Sequence, residues 1–383
     1  MKVTPTLKLA TLLVATLPIS ACLDTSADNT DDPNVNEVID ENTTRITIDA
    51  SSHTQWNYLD LAQGTLVDES DTWHLALQRY NVILHPDAEA AIVAEQADFY
   101  TGENANTSIF INSTASSELD HLIDATLPAE DDFAAANDEF AISNGLMDVD
   151  AFLFYDMTTH GVYANDDNLY VVQSNTGNAY AKLTATQIID PEKTYADADA
   201  YDEAVFQLEI AANGSAAFGE PVTWSISTPQ GVGEGCFDIE TQTSIDCTDA
   251  AWDIKYSNTG TGRGQLNPTL RLNSGTSGAG AAGVAGPFDN ADSAQIVNPI
   301  QDVANDDFDL TPHHYKYNVD GQSSVFSEFP WQAYGVNGGH NIWPNYRVYA
   351  VRDADETYYV QFINYYNEAA VSGHVTLRYL QAP

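Results

Sequence analysis

The sequence predicts a mainly β protein, built as two tandem antiparallel β-sheet or sandwich modules with few short helices. Segments rich in β-branched and aromatic residues recur along the chain, and many of them alternate apolar with polar residues, as half-buried strands do. Clusters of Asn, Asp, Gly and Thr separate these segments, as is typical of turns. Helical periodicity is confined to short pieces such as residues 88–100. The predicted strands are RITID (45–49), WHLALQRYNVIL (73–84), NLYVVQ (168–173), YAKLTA (180–185), VFQLEI (205–210), WDIKY (252–256), YRVYAVR (346–352), TYYVQFI (357–363) and HVTLRYL (374–380).

One short figure occurs twice and indicates a duplication. Residues 154–163 (FYDMTTHGVY) and 331–343 (WQAYGVNGGHNIW) both read as an aromatic residue, a polar turn, a histidine and a return to apolar residues. Each figure predicts a β-hairpin and is followed by two tyrosine-bearing strands. The sequence therefore predicts two copies of one module, residues 45–212 and 213–383.

Tryptophans recur in phase with this duplication. One pair precedes the first histidine figure and another precedes the second, with a longer insertion in the second pair. We expect all four side chains to anchor the core, because each buries a large apolar area. They are Trp56, Trp73, Trp224 and Trp252.

The amino-terminal residues 1–22 predict a lipoprotein signal peptide. Two lysines precede an apolar run over residues 9–19, which is too short to span a bilayer, and small residues then lead to Cys22. Cys22 is the expected lipidation site, although ordinary secretory cleavage is the alternative. Because Leu23 is not the aspartate that commonly retains lipoproteins at the inner membrane, we expect an outer-membrane lipid anchor, surface-exposed or facing the periplasm. Residues 23–44 carry seven acidic and no basic side chains and predict a disordered tether.

The other two cysteines, Cys236 and Cys247, predict a disulfide. An exported compartment permits it, and the residues between them can close as a loop. A two-cysteine metal site is the alternative, but no nearby histidines complete a ligand set.

Charge excludes one class of partner. The chain has 56 acidic and 13 basic residues and a formal net charge of −43. Nucleic-acid binding needs clustered Lys and Arg, so we expect none. The acidic residues indicate either a solvated surface suited to salty surroundings or calcium-binding loops. The calcium candidates are Asp289 and Asp292 in one cluster and Asp306, Asp307 and Asp309 in another; neither matches an EF-hand loop.

Several of these segments resemble the HmuY family of exported haem-binding lipoproteins. In the second module the resemblance lies in WDIKY, in LRLNSGTSGAGAAGVAG (270–286) and in the histidine hairpin with its VYAV strand. In the first module it lies in DTWHLALQRYNVIL (71–84) and in residues 155–183. It implies a mainly β fold, attachment to the outer-membrane surface, and capture of haem for a TonB-dependent receptor.

The sequence departs from the family pattern at three places. His74 stands where an aspartate usually follows the tryptophan. The first module has residues 85–96 in place of the glycine-rich stretch, and the second has Glu356-Thr357-Tyr358-Tyr359 without the usual lysine.

Haem iron held for transport takes two axial ligands from opposite faces, commonly His/His or His/Met. Each module offers a loop histidine followed by a hairpin histidine. The first has His121 and His160, with Met157 as a sulfur alternative. The second has His313 or His314 together with His340. No metal other than haem iron is expected.

The alternative is that these histidines are ordinary turn residues of a non-enzymatic surface β protein that binds another ligand or partner, with calcium in its acidic loops. An enzyme is not expected, because the sequence contains no G-x-S-x-G, H-E-x-x-H or P-loop motif and no G-x-G-x-x-G before a helix.

Overall fold

A computed structural model describes residues 43–383 except 95–96, 103, 195, 198, 214, 216, 261–265, 297–316 and 355. The signal peptide with Cys22, the tether up to residue 42, His313, His314 and the acidic cluster at 306–309 lie outside the described residues. The predicted mainly β fold is confirmed, since strands dominate and the helices are short. No helix in the described part of the chain has the length and apolar character needed to cross a membrane.

The elements are bounded as follows. The first half of the chain contains β1 Thr44–Asp49, β2 Asn57–Asp60, β3 Thr65–Val67, β4 Leu75–Gln78, β5 Asn81–Leu84, β6 Glu89–Ala94, β7 Tyr100–Thr101, β8 Asn104–Ala105, α1 Thr107–Asn112, α2 Asp120–Ile123, β9 Ala134–Ala135, β10 Asn137–Glu139, β11 Leu153–Tyr155, β12 Val162–Ala164, β13 Asn168–Gln173, β14 Ala179–Gln187 and β15 Glu203–Ala212. The second half contains β16 Val222–Ser227, β17 Val232–Asp238, β18 Thr243–Ile245, β19 Ile254–Thr259, β20 Thr269–Leu272, β21 Gly283–Asp289, β22 Gly321–Ser323, α3 Val325–Glu328, β23 Gln332–Tyr334, β24 Ile342–Pro344, β25 Val348–Arg352, β26 Thr357–Tyr366 and β27 Ser372–Gln381. Single 3-10 turns lie at Ala97–Phe99, Glu130–Asp132, Pro229–Gly231 and Asn290–Gln295.

Sandwich A joins the two ends of the described chain. Its larger sheet has the order β1-β27-β26-β25-β6-β9, and its smaller sheet has the order β3-β2-β4-β5. Tyr349, Phe362 and Leu377 of the larger sheet pack against Leu59 and Leu75 of the smaller one, and all five are buried. Alternate strand residues face this interior, so the alternation seen in the sequence marks the buried faces.

Sandwich B is formed by the middle of the chain. Its larger sheet has the order β16-β15-β14-β13-β21, and its smaller sheet has the order β18-β17-β19-β20. Phe206 and Trp224 of the larger sheet share one core with Phe237, Ile254 and Tyr256 of the smaller sheet.

The two sandwiches repeat one strand order. Strands β1 to β6 of sandwich A correspond to β16 to β21 of sandwich B. Strands β25 to β27 correspond likewise to β13 to β15. Only the two-residue edge strand β9 has no counterpart in the sheets of sandwich B. The predicted modules 45–212 and 213–383 therefore correspond strand for strand, but they are not separate sandwiches. Each sandwich combines the early strands of one module with the late strands of the other. Local periodicity identifies strands but not their partners, which is why the sequence could not show this exchange. The duplication itself stays a prediction.

Two local predictions are wrong. The helix expected over residues 88–100 is replaced by β6 at 89–94, which pairs with β25 and places Ala90 opposite Val351, while Ala97–Phe99 forms a single 3-10 turn. The gain from burying an apolar segment in a sheet here overrides the helix propensity of alanine. The predicted strand 73–84 is instead two strands, because Arg79 has a positive φ of 55° and turns the chain between β4 and β5.

The predicted disulfide is present. Cys236 in β17 and Cys247 are bonded, with their Cα atoms 5.2 Å apart. The tryptophan prediction holds for Trp73 and Trp224, which are buried. Trp56 and Trp252 are only partly buried.

Candidate functional site

The first histidine figure is a β-hairpin, as predicted. Strands β11 and β12 pair with Tyr155 opposite Val162, and the buried side chains of Leu153 and Val162 join the core of sandwich B. Asp156 holds the turn by accepting hydrogen bonds from the Thr158 amide (2.7 Å) and the Thr159 hydroxyl (2.9 Å). These bonds favour the ionised form, so they lower the pKa of Asp156.

His160 ends this turn with a positive φ of 59°. The left-handed conformation points the exposed imidazole back across the hairpin, where Nδ1 lies 2.8 Å from the Tyr155 hydroxyl. The two rings are 6.0 Å apart at an angle of 43°.

The second figure is also a β-hairpin with the same internal contact. Strands β23 and β24 pair with Tyr334 opposite Ile342, and Ile342 joins the core of sandwich A. The exposed His340 places Nδ1 2.6 Å from the Tyr334 hydroxyl, and their rings are again 6.0 Å apart at 43°. Its turn uses Gly335 and Gly338 at positive φ where the first hairpin uses an aspartate and threonines.

Matching hydrogen bonds fix both hairpins to their sandwiches. Asn165 and Asn345, just after the second strand of each hairpin, donate through Nδ2 to backbone oxygens before the first strand, at 3.1 and 2.8 Å. Buried Tyr170 and Tyr349 donate to carbonyl oxygens 20 residues upstream, both at 2.6 Å. The two histidines therefore stand on equivalent, firmly held supports.

The Tyr–His contact can orient the imidazole and leave its second nitrogen able to bind a metal. When Nδ1 donates its proton to the tyrosine oxygen, Nε2 keeps the lone pair that a metal requires, and the ring orientation is fixed. Which nitrogen carries the proton depends on the tautomer. Nε2 of His160 and of His340 makes no hydrogen bond to any described residue. The sequence showed these tyrosines only as aromatic neighbours; their spacing of five and six residues before the histidine is the signal that marks the contact.

The remaining ligand candidates lie at different places. Met157 is 66% exposed on the same turn as His160. His121 lies in α2, half exposed, with Nε2 3.4 Å from a carboxylate oxygen of Glu118. Its neighbour Leu122 is buried against β25 and β26 of sandwich A.

The predicted pairing of His121 with His160 spans both sandwiches. The helix α2 that carries His121 packs with sandwich A through Leu122, whereas the hairpin of His160 packs with sandwich B. The second hairpin is the one that lies on sandwich A with His121, and the Thr107 hydroxyl at the start of α1 donates to the backbone of Val336 in its turn, at 2.8 Å. Because of the exchange of halves, the elements that carry His121 and His340 lie on the same sandwich.

The described acidic candidates have local structural partners. Asp289 accepts a hydrogen bond from the Ala291 amide at 2.9 Å, and Asp292 accepts one from the Gln295 side chain at 2.7 Å. Among the described residues, the one set of three acidic or histidine side chains within 4.8 Å of one another is Asp238, Glu240 and Asp253. Both carboxylate oxygens of buried Asp253 already accept backbone amides.

The chain is similar to one family model and to several solved structures, three of which follow. The family model described as HmuY protein matches residues 52–199. A putative lipoprotein from Bacteroides fragilis is 12% identical, covering 89% of this chain and 93% of that one, with a TM-score of 0.26. A putative HmuY-like heme-binding protein from Bacteroides vulgatus is 11% identical, covering 88% and 91%, with a TM-score of 0.25. An apo HmuY analog from Tannerella forsythia is 9% identical, covering 89% and 96%, with a TM-score of 0.24.

No curated protein matches the chain. The matched residues 52–199 include the first hairpin with Tyr155 and His160, as well as His121 in α2. The family resemblance predicted from the sequence is thereby confirmed over this segment: residues 52–199 of the chain match the HmuY family.

Proposed function

We propose that this protein is a lipid-anchored, non-enzymatic lipoprotein of the outer-membrane surface that binds haem and passes it to a TonB-dependent receptor. The observation that carries the proposal is the match of residues 52–199 to the HmuY family. Cys22 is the proposed anchor, and the acidic stretch between it and β1, which begins at Thr44, is the proposed tether to the membrane.

The chemistry of the hairpins supports haem as the ligand. An imidazole with one nitrogen bonded to an oxygen partner and the other directed to solvent is a prepared axial ligand for haem iron. The chain presents this unit twice, with Tyr–His distances of 2.8 and 2.6 Å. Two equivalent units would not need the same Tyr–His contact if their histidines were incidental turn residues.

Sandwich A offers a candidate pair, His340 with His121 of α2. Arg347 lies two residues after Asn345, close to the second hairpin, and its guanidinium lies 5.2 Å from the ring centre of Tyr100. It is a suitable partner for a haem propionate, because guanidinium groups bind carboxylates through paired hydrogen bonds. In sandwich B, His160 and Met157 share one turn, so an opposing ligand there comes from a different segment.

A hemin titration of the purified protein tests the ligand. We expect a sharp Soret band in the wild type and weaker binding, by roughly tenfold or more, in His160→Ala or His340→Ala. Tyr334→Phe removes only the oxygen partner of His340 and is expected to weaken binding about tenfold, as is typical for loss of an outer hydrogen bond to a ligand.

The matched control is His53→Ala, which removes an exposed histidine distant in sequence from both hairpins. Hemin binding that is absent, or that is the same in all of these variants, would contradict the proposal.

Membrane attachment is tested separately by Cys22→Ser. Without an acylated cysteine the protein has no lipid chain, so we expect it to move from the outer-membrane fraction to the soluble fraction. Cys247→Ser, which alters a cysteine of the disulfide, should leave the fractionation unchanged. A membrane-bound Cys22→Ser protein would rule out this anchor.

A further inference from the structure

The smaller sheet of sandwich B carries a cavity that the haem proposal does not use. It has a volume of about 690 Å³ and lies on the outer face of β17, β19 and β20. Glu234, Lys255 and Arg271 line its floor, and Trp252 and Gly280 line its walls. No histidine among the described residues lines it.

The cavity exists because the two sandwiches differ at equivalent positions. Ala76 faces Ile83 across β4 and β5, and the corresponding cross-strand pair in β19 and β20 is Lys255 and Arg271. In sandwich A these positions belong to an apolar cluster, which fills the outer face. Its members are Trp73, Ala76 and Ile83, with Trp56, Tyr58 and Val67 packed against them. In sandwich B charged side chains replace this filling, and no described residue fills the space.

The floor of the cavity brings two cations together in a strongly acidic protein. Lys255 lies 2.7 Å from Glu234, and Arg271 lies 3.2 Å from Asp138. The Arg271 guanidinium donates to Asp138 through one nitrogen among the described residues, so its other N–H groups are available to a ligand. Each cation is paired with a carboxylate, but two of the 13 basic residues in the chain lie on neighbouring strands facing one cavity, which favours an anionic ligand over a cationic one.

The walls supply an aromatic face on a preformed support. Trp252 is partly exposed and contacts no other aromatic ring among the described residues, whereas its counterpart Trp73 packs on the rings of Tyr58 and His85. Asn273 ties the two walls together. Its Nδ2 donates to the Trp252 carbonyl oxygen at 2.6 Å, and its Oδ1 accepts from the Gly280 amide at 3.0 Å.

The glycine-rich stretch permits this close wall. A Cβ atom at Gly278 would lie 2.2 Å from Asn273 Oδ1, which is far inside contact distance. Glycine is therefore required where the loop passes over the asparagine, and the wall is held in shape before a ligand arrives.

We propose that this cavity binds a carboxylated sugar, a hexuronate. Its carboxylate pairs with Arg271 and Lys255, its ring stacks on Trp252, and Glu234 accepts hydrogen bonds from its hydroxyl groups. This combination of paired carboxylate recognition, an aromatic face and a few convergent polar groups is what a small polar ring ligand requires.

Calorimetric titration of the full protein tests the proposal with three probes. D-Galacturonate should bind, while D-galactose, which lacks the carboxylate, and acetate, which lacks the ring, should each bind at least about tenfold more weakly, a difference of about 1.4 kcal/mol. Arg271→Ala and Trp252→Ala should each weaken galacturonate binding by about tenfold or more. Lys193→Ala is the matched control, because it removes a partly exposed cation paired with Asp190 and Asp199 outside the cavity.

Arg271→Lys keeps the charge and guards against misfolding of the alanine variant. It should bind galacturonate more weakly than the wild type, because lysine cannot form the bidentate pair. The proposal is overturned if galacturonate does not bind, if acetate binds equally well, or if the cavity variants match Lys193→Ala. Protoporphyrin IX is the remaining probe: binding that depends on Arg271 while galacturonate fails would assign the cavity to a tetrapyrrole carboxylate instead. All these outcomes are independent of the hemin spectrum.

Discussion

The smaller sheets of the two sandwiches have the same strand order, but one outer face is apolar and the other is charged. In sandwich A the outer face of β3-β2-β4-β5 is closed by an apolar cluster around Trp73, which is 8% exposed. In sandwich B the same face of β18-β17-β19-β20 carries Lys255 and Arg271 over an open cavity, with a disulfide at one side. One face is filled and adds stability, whereas the other exposes charged groups to a ligand.

The inner faces are alike where the outer faces differ. Trp73 and Trp252 occupy equivalent positions, and the residue after each of them is buried: His74 in sandwich A and Asp253 in sandwich B. His74 Nδ1 accepts the Leu61 amide at 3.2 Å, and Asp253 Oδ2 accepts the Ile239 amide at 2.6 Å. Each side chain thus fixes the turn after the first strand of its sheet.

The two buried side chains reach the partner sheet by different chemistry. Asp253 accepts a second amide, from Asn175 in the turn after β13, at 2.6 Å. His74 Nε2 lies 3.4 Å from a carboxylate oxygen of Asp353, in the turn after β25, a contact that depends on the imidazole proton. The comparison teaches that a shared frame leaves the outer surface free to diverge, while the inner connection is preserved even when its residue type changes.

The largest expected difference is in the loss of stability when each of the two equivalent tryptophans is replaced by alanine. Trp73→Ala removes a buried ring whose centre lies 5.0 Å from that of Tyr58 and 4.7 Å from that of His85. It should therefore lower the free energy of unfolding by about 3 to 5 kcal/mol. Trp252→Ala removes a ring that borders the open cavity and should cost less than about 1 kcal/mol. Urea unfolding measures both, and amide exchange of β4 and β19 locates the loss.

Trp224→Ala is the reference for a buried tryptophan of sandwich B, because Trp224 is 1% exposed. If Trp252→Ala destabilised the protein as much as Trp224→Ala, the open face would be a structural surface and the contrast between the sheets would fail.

A smaller difference is expected in pH dependence, with opposite signs in the two sandwiches. Burial lowers the pKa of His74 below its ordinary 6.5, although Asp353, Asp60 and Glu356 oppose it and His85 assists it. Folded His74 therefore binds its proton less tightly than unfolded His74, and sandwich A should lose stability as the pH falls below about 6.5. Burial raises the pKa of Asp253 from 3.8 to about 7, with Glu240 and Asp238 contributing. Sandwich B should therefore lose stability as the pH rises from about 4 to about 7.

Each pKa unit corresponds to about 1.4 kcal/mol, so the protonation of Asp253 changes the free energy of unfolding by on the order of 4 kcal/mol over this range. Amide exchange of β26 and of β14 at pH 5 and pH 7.5, corrected for intrinsic rates, measures the two sandwiches separately. His74→Asn should flatten the first response and Asp253→Asn the second, while Asp249→Asn at an exposed site should change neither. Parallel responses in both sandwiches would show that these side chains do not control the pH dependence.

The sequence predicted what depends on neighbouring residues. Strand alternation located β13, β14, β15, β26 and β27 but not β6, β16, β17 or β21. The repeated figure located both hairpins, because a hairpin is closed by residues only a few positions apart. The disulfide was predictable because only two cysteines remained after Cys22. Long-range pairing was not predictable: nothing local in residues 45–49 indicates that they pair with 374–378.

The candidate site was predicted in its residue types more than in its contacts. His160 and His340 were identified from the repeat, but their bonds to tyrosine hydroxyls depend on how each turn folds back. Pairing His121 with His160 assumed that each module folds on itself, and the exchange of halves removes that assumption. The cavity beside Trp252 was missed because a partly exposed tryptophan has the same sequence signal as a buried one.

The pairing of β1 with β27 also sets an order of assembly during synthesis. A chain is delivered from its amino terminus, and domains generally fold as units once all their strands have emerged. Sandwich B draws its strands from the continuous stretch 153–289 and can close early. In sandwich A, strands β1 to β6 are made long before β25 to β27. Until those later strands are synthesised, the apolar side chains of Leu59 and Leu75 remain uncovered. The amino-terminal strands are thus the first part of the fold to be made and the last to be stabilised, and during that interval they are the part of the molecule with most need of a holding chaperone.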